Sequence, residues 1–173
     1  YTVDGHPTDT DSLADLAGAL EGELKFSKRE RQHNTVKAIA DYQFGPAAGD
    51  ALFSDIDIVT TGRYPKLQVR NNGGEQLATM VPQYGLLAMT LAGGDRWLAS
   101  DAPTKRVDIE GFVPHGSVLA PGVVDASDDI RPGDEVVIDG SAAFAVGRAE
   151  MSGPEMVDST RGVASTVRHV RER

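Results

Sequence analysis

The chain has 173 residues, 26 Asp and Glu against 17 Lys and Arg for a net charge of −9, and no Cys. The missing thiols exclude disulfides, iron–sulfur clusters, thiolate zinc sites and a Cys nucleophile. With 40% hydrophobic and 25% charged residues, the composition suits one packed domain or two small ones, not a disordered chain.

Residues 1–11 are polar around Pro7 and are expected to form a loose arm. From Ser12, the residues Leu13, Leu16, Ala17 and Leu20 recur at helical spacing, with Asp11 or Ser12 as the cap and Gly22 as the stop. Lys28–Phe44 is a stronger helix: Val36, Ile39, Ala40, Gln43 and Phe44 share a face, and Gly45-Pro46 ends it. A short helix over 47–53 follows. The period then changes to two. Ile56 and Ile58 alternate with Asp55 and Asp57, which therefore face solvent, and Leu67 and Val69 alternate with Lys66, Gln68 and Arg70. Asn72-Gly73-Gly74 marks a hairpin turn, and strands are expected over Leu77–Val81 and Tyr84–Leu91. Gly93–Leu98 is a helical turn carrying Trp97, expected in a core or interface, and Ser100–Thr104 is a candidate linker.

The second half has shorter elements. Strands are expected from Val107, over Glu135–Ile138, over Ala143–Met151 and over Gly162–Val170. Turns are expected at Phe112–Gly116, Ile130–Asp134 and Asp139-Gly140, and Pro154–Thr160 is a helical turn. Ser117–Val124 is an apolar stretch broken by Pro121-Gly122. Five or six short strands with turn signals about every ten residues indicate a small barrel. The fold class is therefore α+β, a small α/β domain over 1–103 followed by a β pseudo-barrel over 104–173.

The charge is uneven. Residues 1–24 carry only acids, whereas 25–37 have a net charge of +4 and 161–173 of +3. An Asp-rich, Lys-poor surface fits molar intracellular salt, and local basic patches on such a body still suit phosphate. Lys28, Arg29 and Arg31 open a helix, where cations oppose the macrodipole; phosphate contact and a solvated face both remain open readings. The four His (His6, His33, His115, His169) lie far apart in sequence and show no metal-ligand spacing. Gly45–Gly49 lacks the Lys and hydroxyl of a phosphate-binding loop. Neither a catalytic residue, a metal nor a cofactor is expected. The apolar runs are too short to span a bilayer, and no signal peptide is visible, so the expected location is the cytoplasm. Tyr1 opens the chain where a Met is usual, which leaves the N-terminus open to extension.

Several stretches occur together in a recognisable order: Gly116-Ser117-Val118-Leu119-Ala120-Pro121-Gly122-Val123, Arg131-Pro132-Gly133-Asp134-Glu135-Val136, Ala145-Val146-Gly147-Arg148-Ala149, Ser152-Gly153-Pro154-Glu155-Met156 and Arg161–His169. This half resembles a PUA domain, an RNA-binding pseudo-barrel. Ala38–Gly45 followed by Gly49–Phe53 resembles the α/β domain that precedes the PUA domain in archaeal tRNA-guanine transglycosylase and archaeosine synthase. The resemblance covers about residues 28–170 and lacks the upstream catalytic barrel of those enzymes, so it implies their RNA-binding end, as a stand-alone haloarchaeal member.

Carried over, it implies a groove lined by Gly116, Ser117, Val118 and Leu119 against the acceptor end of tRNA. Pro121 would fix the loop's path and Gly122 would admit bare backbone amides, while Arg148, Arg161, Arg168 and His169 supply the nearest cations. The same glycines would serve tight turns in any small barrel. The expected partner is RNA, most simply tRNA. A catalytic tRNA-modifying subunit or the ribosome are the alternatives, and no membrane is expected.

Overall fold

The computed structural model describes residues 2–3, 6–7, 27–61 and 66–173. It forms two compact units, Tyr1–Gln32 and His33–Arg173. In the first, strand β1 (Thr2–Val3) pairs antiparallel with β2 (His6–Pro7), within the stretch expected to be a loose arm. The helix expected over Ser12–Leu20 lies outside the described residues. Helix α1 (Lys28–Phe44) opens on a reciprocal cap. The Ser27 amide donates to Glu30 Oε2 at 2.6 Å and the Glu30 amide to Ser27 Oγ at 3.2 Å. These bonds hold the Glu30 carboxyl below its usual range.

In the second unit, Val36, Ala40 and Phe44 are buried one turn apart along α1, as the sequence periodicity requires. Helix α2 (Ala48–Phe53) follows the Gly45 stop. Strands β3 (Ile56–Thr61), β4 (Lys66–Asn71), β5 (Gln76–Val81) and β6 (Leu86–Met89) form an antiparallel meander in that order. Its register aligns Ile58, Val69, Ala78 and Met89 in one row toward the core, with Asp55 and Asp57 exposed. The strand expected over Tyr84–Leu91 is shorter. Tyr84 and Gly85 close a turn onto the Val81 carbonyl, and Thr90 caps helix α3 (Leu91–Leu98) by accepting from the Gly93 amide.

The rest forms a six-stranded sheet of β7 (Arg106–Ile109), β8 (Ser117–Leu119), β9 (Val123–Ala126), β10 (Glu135–Gly140), β11 (Ala143–Ala149) and β12 (Val163–Glu172), in the order β8-β12-β11-β10-β7-β9. Only β10 and β7 run parallel. A 3-10 turn at Ala120–Gly122 and helix α4 (Gly153–Asp158) complete it. Asp139-Gly140, expected as a turn, continues β10 because Asp139 and Gly140 pair with Asp108 and Ile109. Ser100–Thr104 is a pinned connection, since Trp97 Nε1 donates to the Pro103 carbonyl at 2.9 Å and Ala102 is buried. Among the described residues no helix is long and apolar enough to cross a membrane.

Two core clusters meet at β10 and β11. The barrel interior holds Val107, Val118, Ile130, Val136, Ile138, Ala145 and Met156. Val137, Phe144 and Val146 point the other way, into the cluster that holds Phe44, Phe53 and Trp97. Phe44 and Trp97 lie 4.5 Å apart, ring centroid to centroid. The unbroken apolar run Val136-Val137-Ile138 follows from burial on both faces. Helix α3 sits between the sheets on bare backbone: a Cβ on Gly93 would lie 2.0 Å from the Leu77 carbonyl oxygen, and one on Gly94 2.6 Å from Val146 Cγ1.

An ion pair with a buried carboxylate and a partly exposed arginine ties the same junction. Arg168 meets Glu135 through two hydrogen bonds, at 2.5 and 2.8 Å, and donates to the Met89 carbonyl at 3.1 Å. Glu135 also accepts from the Met89 amide at 2.8 Å. Burial pushes the Glu135 carboxyl above its usual range, against the pull of Arg168.

Replacing Gly94 with Ala should destabilise the fold by roughly 1–3 kcal/mol in denaturant titration, because the new methyl would press on Val146 and Phe144, both fully buried. Arg168→Met should cost roughly 3–5 kcal/mol at neutral pH by leaving a buried carboxylate without its cation. Its loss raises the Glu135 pKa further, so the variant's stability falls as pH rises through that value and recovers on acidification. A wild-type melting curve would show the pair to be dispensable, and a loss equal at acid and neutral pH would show that the unpaired carboxylate is not its cause.

Candidate nucleic-acid interface

The β8 edge of the barrel carries the loop singled out by the sequence. Strand β8 alternates as a half-buried strand must. Val118 is fully buried in the barrel, while Ser117 and Leu119 face outward, Leu119 at 54% exposure. The Val118 side chain is therefore part of the core and does not line the groove. Gly116 precedes the strand at φ +80°, a left-handed conformation that favours glycine, and a Cβ there would meet nothing within 4 Å. The backbone at this bend is open to approach from outside.

Ser117, Leu119, Pro121 and Gly122 line a groove of about 390 Å³ together with Phe112, Val113, Pro114 and His115. Its wall is mainly apolar, with the imidazole of His115 and the hydroxyl of Ser117 as polar groups. A Cβ on Gly122 would lie 2.9 Å from Phe112 Cζ, so the bare glycine is what lets that ring form the wall. Such a groove can take a flat base against Phe112 and Leu119 and offers backbone at Gly116 to a sugar or phosphate. Phe112, Pro114 and His115 belong to the site although the sequence showed them only as turn residues; an aromatic, a proline and an imidazole directly before the Gly116 bend were the available signal.

The cations are dispersed. Arg161 is exposed beside Gly162, whose carbonyl accepts from the Ala120 amide at 3.0 Å at the end of β8. Arg168 is engaged with Glu135 and Met89 and is not available as a free phosphate contact. His169 is exposed and borders a separate hollow with Glu75, Gln76 and Thr90. Arg148 projects from β11 over the ring of Tyr84, 5.4 Å from its centroid, and donates through Nε to the Gly133 carbonyl at 3.2 Å. Lys28, Arg29 and Arg31 lie on the first turn of α1, exposed, in the Tyr1–Gln32 unit. Among the described residues no group of three or more His, Asp or Glu is gathered as a metal ion requires.

Comparison with known proteins agrees with this architecture. Residues 34–103 match the patch-forming domain C2 of tRNA-guanine transglycosylase, and residues 109–171 match the PUA domain. Archaeosine synthase of Haloferax volcanii is 65% identical over 173 residues, covering all of this chain and 30% of that protein. Archaeosine synthase subunit alpha of Methanosarcina acetivorans is 42% identical, covering 99% of this chain and 28% of that one. The chain thus spans less than a third of the length of these relatives. A conserved PUA domain protein from Thermoplasma acidophilum shares the fold at a TM-score of 0.56 and 19% identity, over 83% of this chain and 91% of its own.

Truncating the two neighbours in β8 should separate core from groove. Val118→Ala is expected to cost roughly 2 kcal/mol in a urea titration, whereas Leu119→Ala should stay within about 0.5 kcal/mol of wild type. Equal losses would mean that Leu119 is packed and the groove closed.

Proposed function

We propose that this chain, which belongs to the PUA-domain family and carries the C2 domain of tRNA-guanine transglycosylase ahead of its PUA domain, is an RNA-binding module with no catalysis of its own. Its RNA in this reading is tRNA, held at the acceptor end by the groove of Phe112, Pro114, His115, Ser117, Leu119, Pro121 and Gly122, with Gly116 presenting backbone. The observation that carries the proposal is the pairing of an open glycine bend with an apolar, aromatic-walled groove on the barrel edge. Arg161 supplies the cation at the end of β8. Lys28, Arg29 and Arg31 form a further basic patch, and His169 another contact. The chain divides in this reading into residues 1–103 and the PUA domain over 104–173, and it works in the cytoplasm.

The 65% identity to Haloferax archaeosine synthase along the whole chain favours a second, compatible reading. Here the module is the tRNA-gripping end of an archaeosine-forming enzyme whose catalytic part lies in another portion or subunit. Co-purification from native extract with a protein matching the remainder of archaeosine synthase would support it; recovery free of any such partner and of any longer form would count against it.

Fluorescence anisotropy with a labelled tRNA transcript, run across a KCl series, tests the groove. Leu119→Ser and Arg161→Glu should each weaken binding about tenfold. Arg161→Glu should also flatten the logarithmic salt dependence by about one unit per lost phosphate contact. Wild-type affinity in both variants at every salt concentration would rule the groove out.

A further inference from the structure

Outside the groove, one surface collects aromatic rings and a cation that the fold does not use. Tyr42 on α1 is 85% exposed, and Tyr84 in the turn before β6 is 49% exposed. Tyr42 borders a cleft of about 340 Å³ with Gln43, Leu86, Lys105, Pro132, Gly133, Asp134 and Arg148. Arg148 spans the two rings: it shares the cleft with Tyr42 and covers the face of Tyr84.

Arg148 also lies outside the ion pairs of the described residues, as Arg131 and Arg161 do. Lys37, Arg96, Lys105, Arg106, Arg168, Arg171 and Arg173 are each tied to a carboxylate. The Arg148 guanidinium is instead braced by a carbonyl and a ring face, neither of which neutralises it. The carboxylates around the cleft are occupied, Asp134 by Lys105 and the Arg131 amide, and Glu135 by Arg168. Gln43 is likewise committed, donating to the Leu87 carbonyl and accepting from its amide. The cleft therefore presents a positive charge held in place, with an aromatic ring free on its flank.

Strand register connects this cleft to the groove. Ser117 on β8 pairs with Thr166 on β12, and Thr166 pairs with Arg148 on β11. Partners in one antiparallel row point to the same face, and neighbouring strands lie about 4.8 Å apart, so Arg148 stands roughly 10 Å along the sheet from the groove wall. Thr166, exposed between them, carries only a small side chain and bonds to Glu150 Oε1, so a carboxylate borders the row on one side.

We infer that Tyr42, Tyr84 and Arg148 form a second RNA subsite, in which a base stacks on the Tyr42 ring and the adjoining phosphate pairs with Arg148. The Ser117–Thr166–Arg148 row carries the same strand across from the groove. Every base has a π-face, so the subsite takes nucleotides of any sequence, and Arg presents the planar fork that suits phosphate oxygens. The inference rests on the RNA-binding reading for its ligand and on its own residues for its place.

Anisotropy of a labelled tRNA transcript tests it with Tyr42→Ala, Tyr42→Phe and Arg148→Gln, each with a thermal melt to verify folding. Tyr42→Ala and Arg148→Gln should each weaken binding about tenfold, while Tyr42→Phe, which keeps the ring, should bind as wild type. Arg148→Gln should lower the salt slope by about one. Losses here with Leu119→Ser and Arg161→Glu unaffected would uphold the subsite and remove the groove reading. Unchanged affinity in Tyr42→Ala and Arg148→Gln, with the groove variants weakened, would overturn the subsite alone and leave the exposed rings to a protein partner. No effect in any variant would overturn both.

Discussion

Strands β10 and β11 are buried on both faces, and that double burial governs the molecule. Val136, Ile138 and Ala145 fill the barrel while Val137, Phe144 and Val146 pack toward Trp97 and Phe53. Neither cluster is complete without these two strands, so neither can relax independently. Helix α3 can approach closely enough to seal the second face only because Gly93 and Gly94 carry no side chains. The Glu135–Arg168 pair then adds a polar tie at this junction, by joining β10 and β12 to both backbone groups of Met89 on β6. A buried ion pair adds little net stability over an apolar contact, but it admits very few geometries. Here it links the two sheets through Met89 on one side and Glu135 with Arg168 on the other.

A rigid centre leaves the periphery free to vary, and the groove and cleft proposed for recognition lie there. Strand β8 is an edge of the six-stranded sheet, paired only with β12, so one side of its backbone is open. Seven of the described cations on this acidic chain are neutralised by nearby carboxylates, which keeps their charge from spreading over the surface. At molar salt the Debye length shrinks to about 3 Å, and long-range steering of a polyanion is lost. Recognition under such screening favours contacts made at van der Waals range. An apolar groove, exposed tyrosines and a guanidinium held by a carbonyl are contacts of that kind, and their strength depends less on salt than a diffuse basic face does.

Much of this was legible in the sequence because it is periodic or local. The Val36–Ala40–Phe44 stripe, the alternation at Ile56 and Ile58, and the Gly45 stop each involve residues within a turn or two of one another. The ordered PUA stretches identified the second half. The inward turn of Val118 follows from the Ser117-Val118-Leu119 alternation, which outweighs its place in a recognised loop. Arg168 is different: its partner Glu135 is 33 residues away, and only the β10–β11–β12 register brings them together. The same holds for Arg148, whose neighbours Tyr42 and Tyr84 come from elements far apart along the chain. Long-range pairing of this type leaves no local trace in composition or spacing.

The shared core also bears on how the two halves of the chain depend on each other. A cut after Pro103 would separate the matched domains cleanly in sequence, yet it would strip Phe144, Val146 and Val137 of the packing they receive from Trp97 and its neighbours. The barrel would then expose a large aromatic and two branched side chains on the face of its central strands. Exposed apolar surface of that size is unfavourable in water and more so at high concentrations of excluded salts, which strengthen the drive to bury it. Residues 33–103 thus act as the cover for the barrel's second face. That physical dependence gives a reason for the C2 and PUA domains to occur together in this chain.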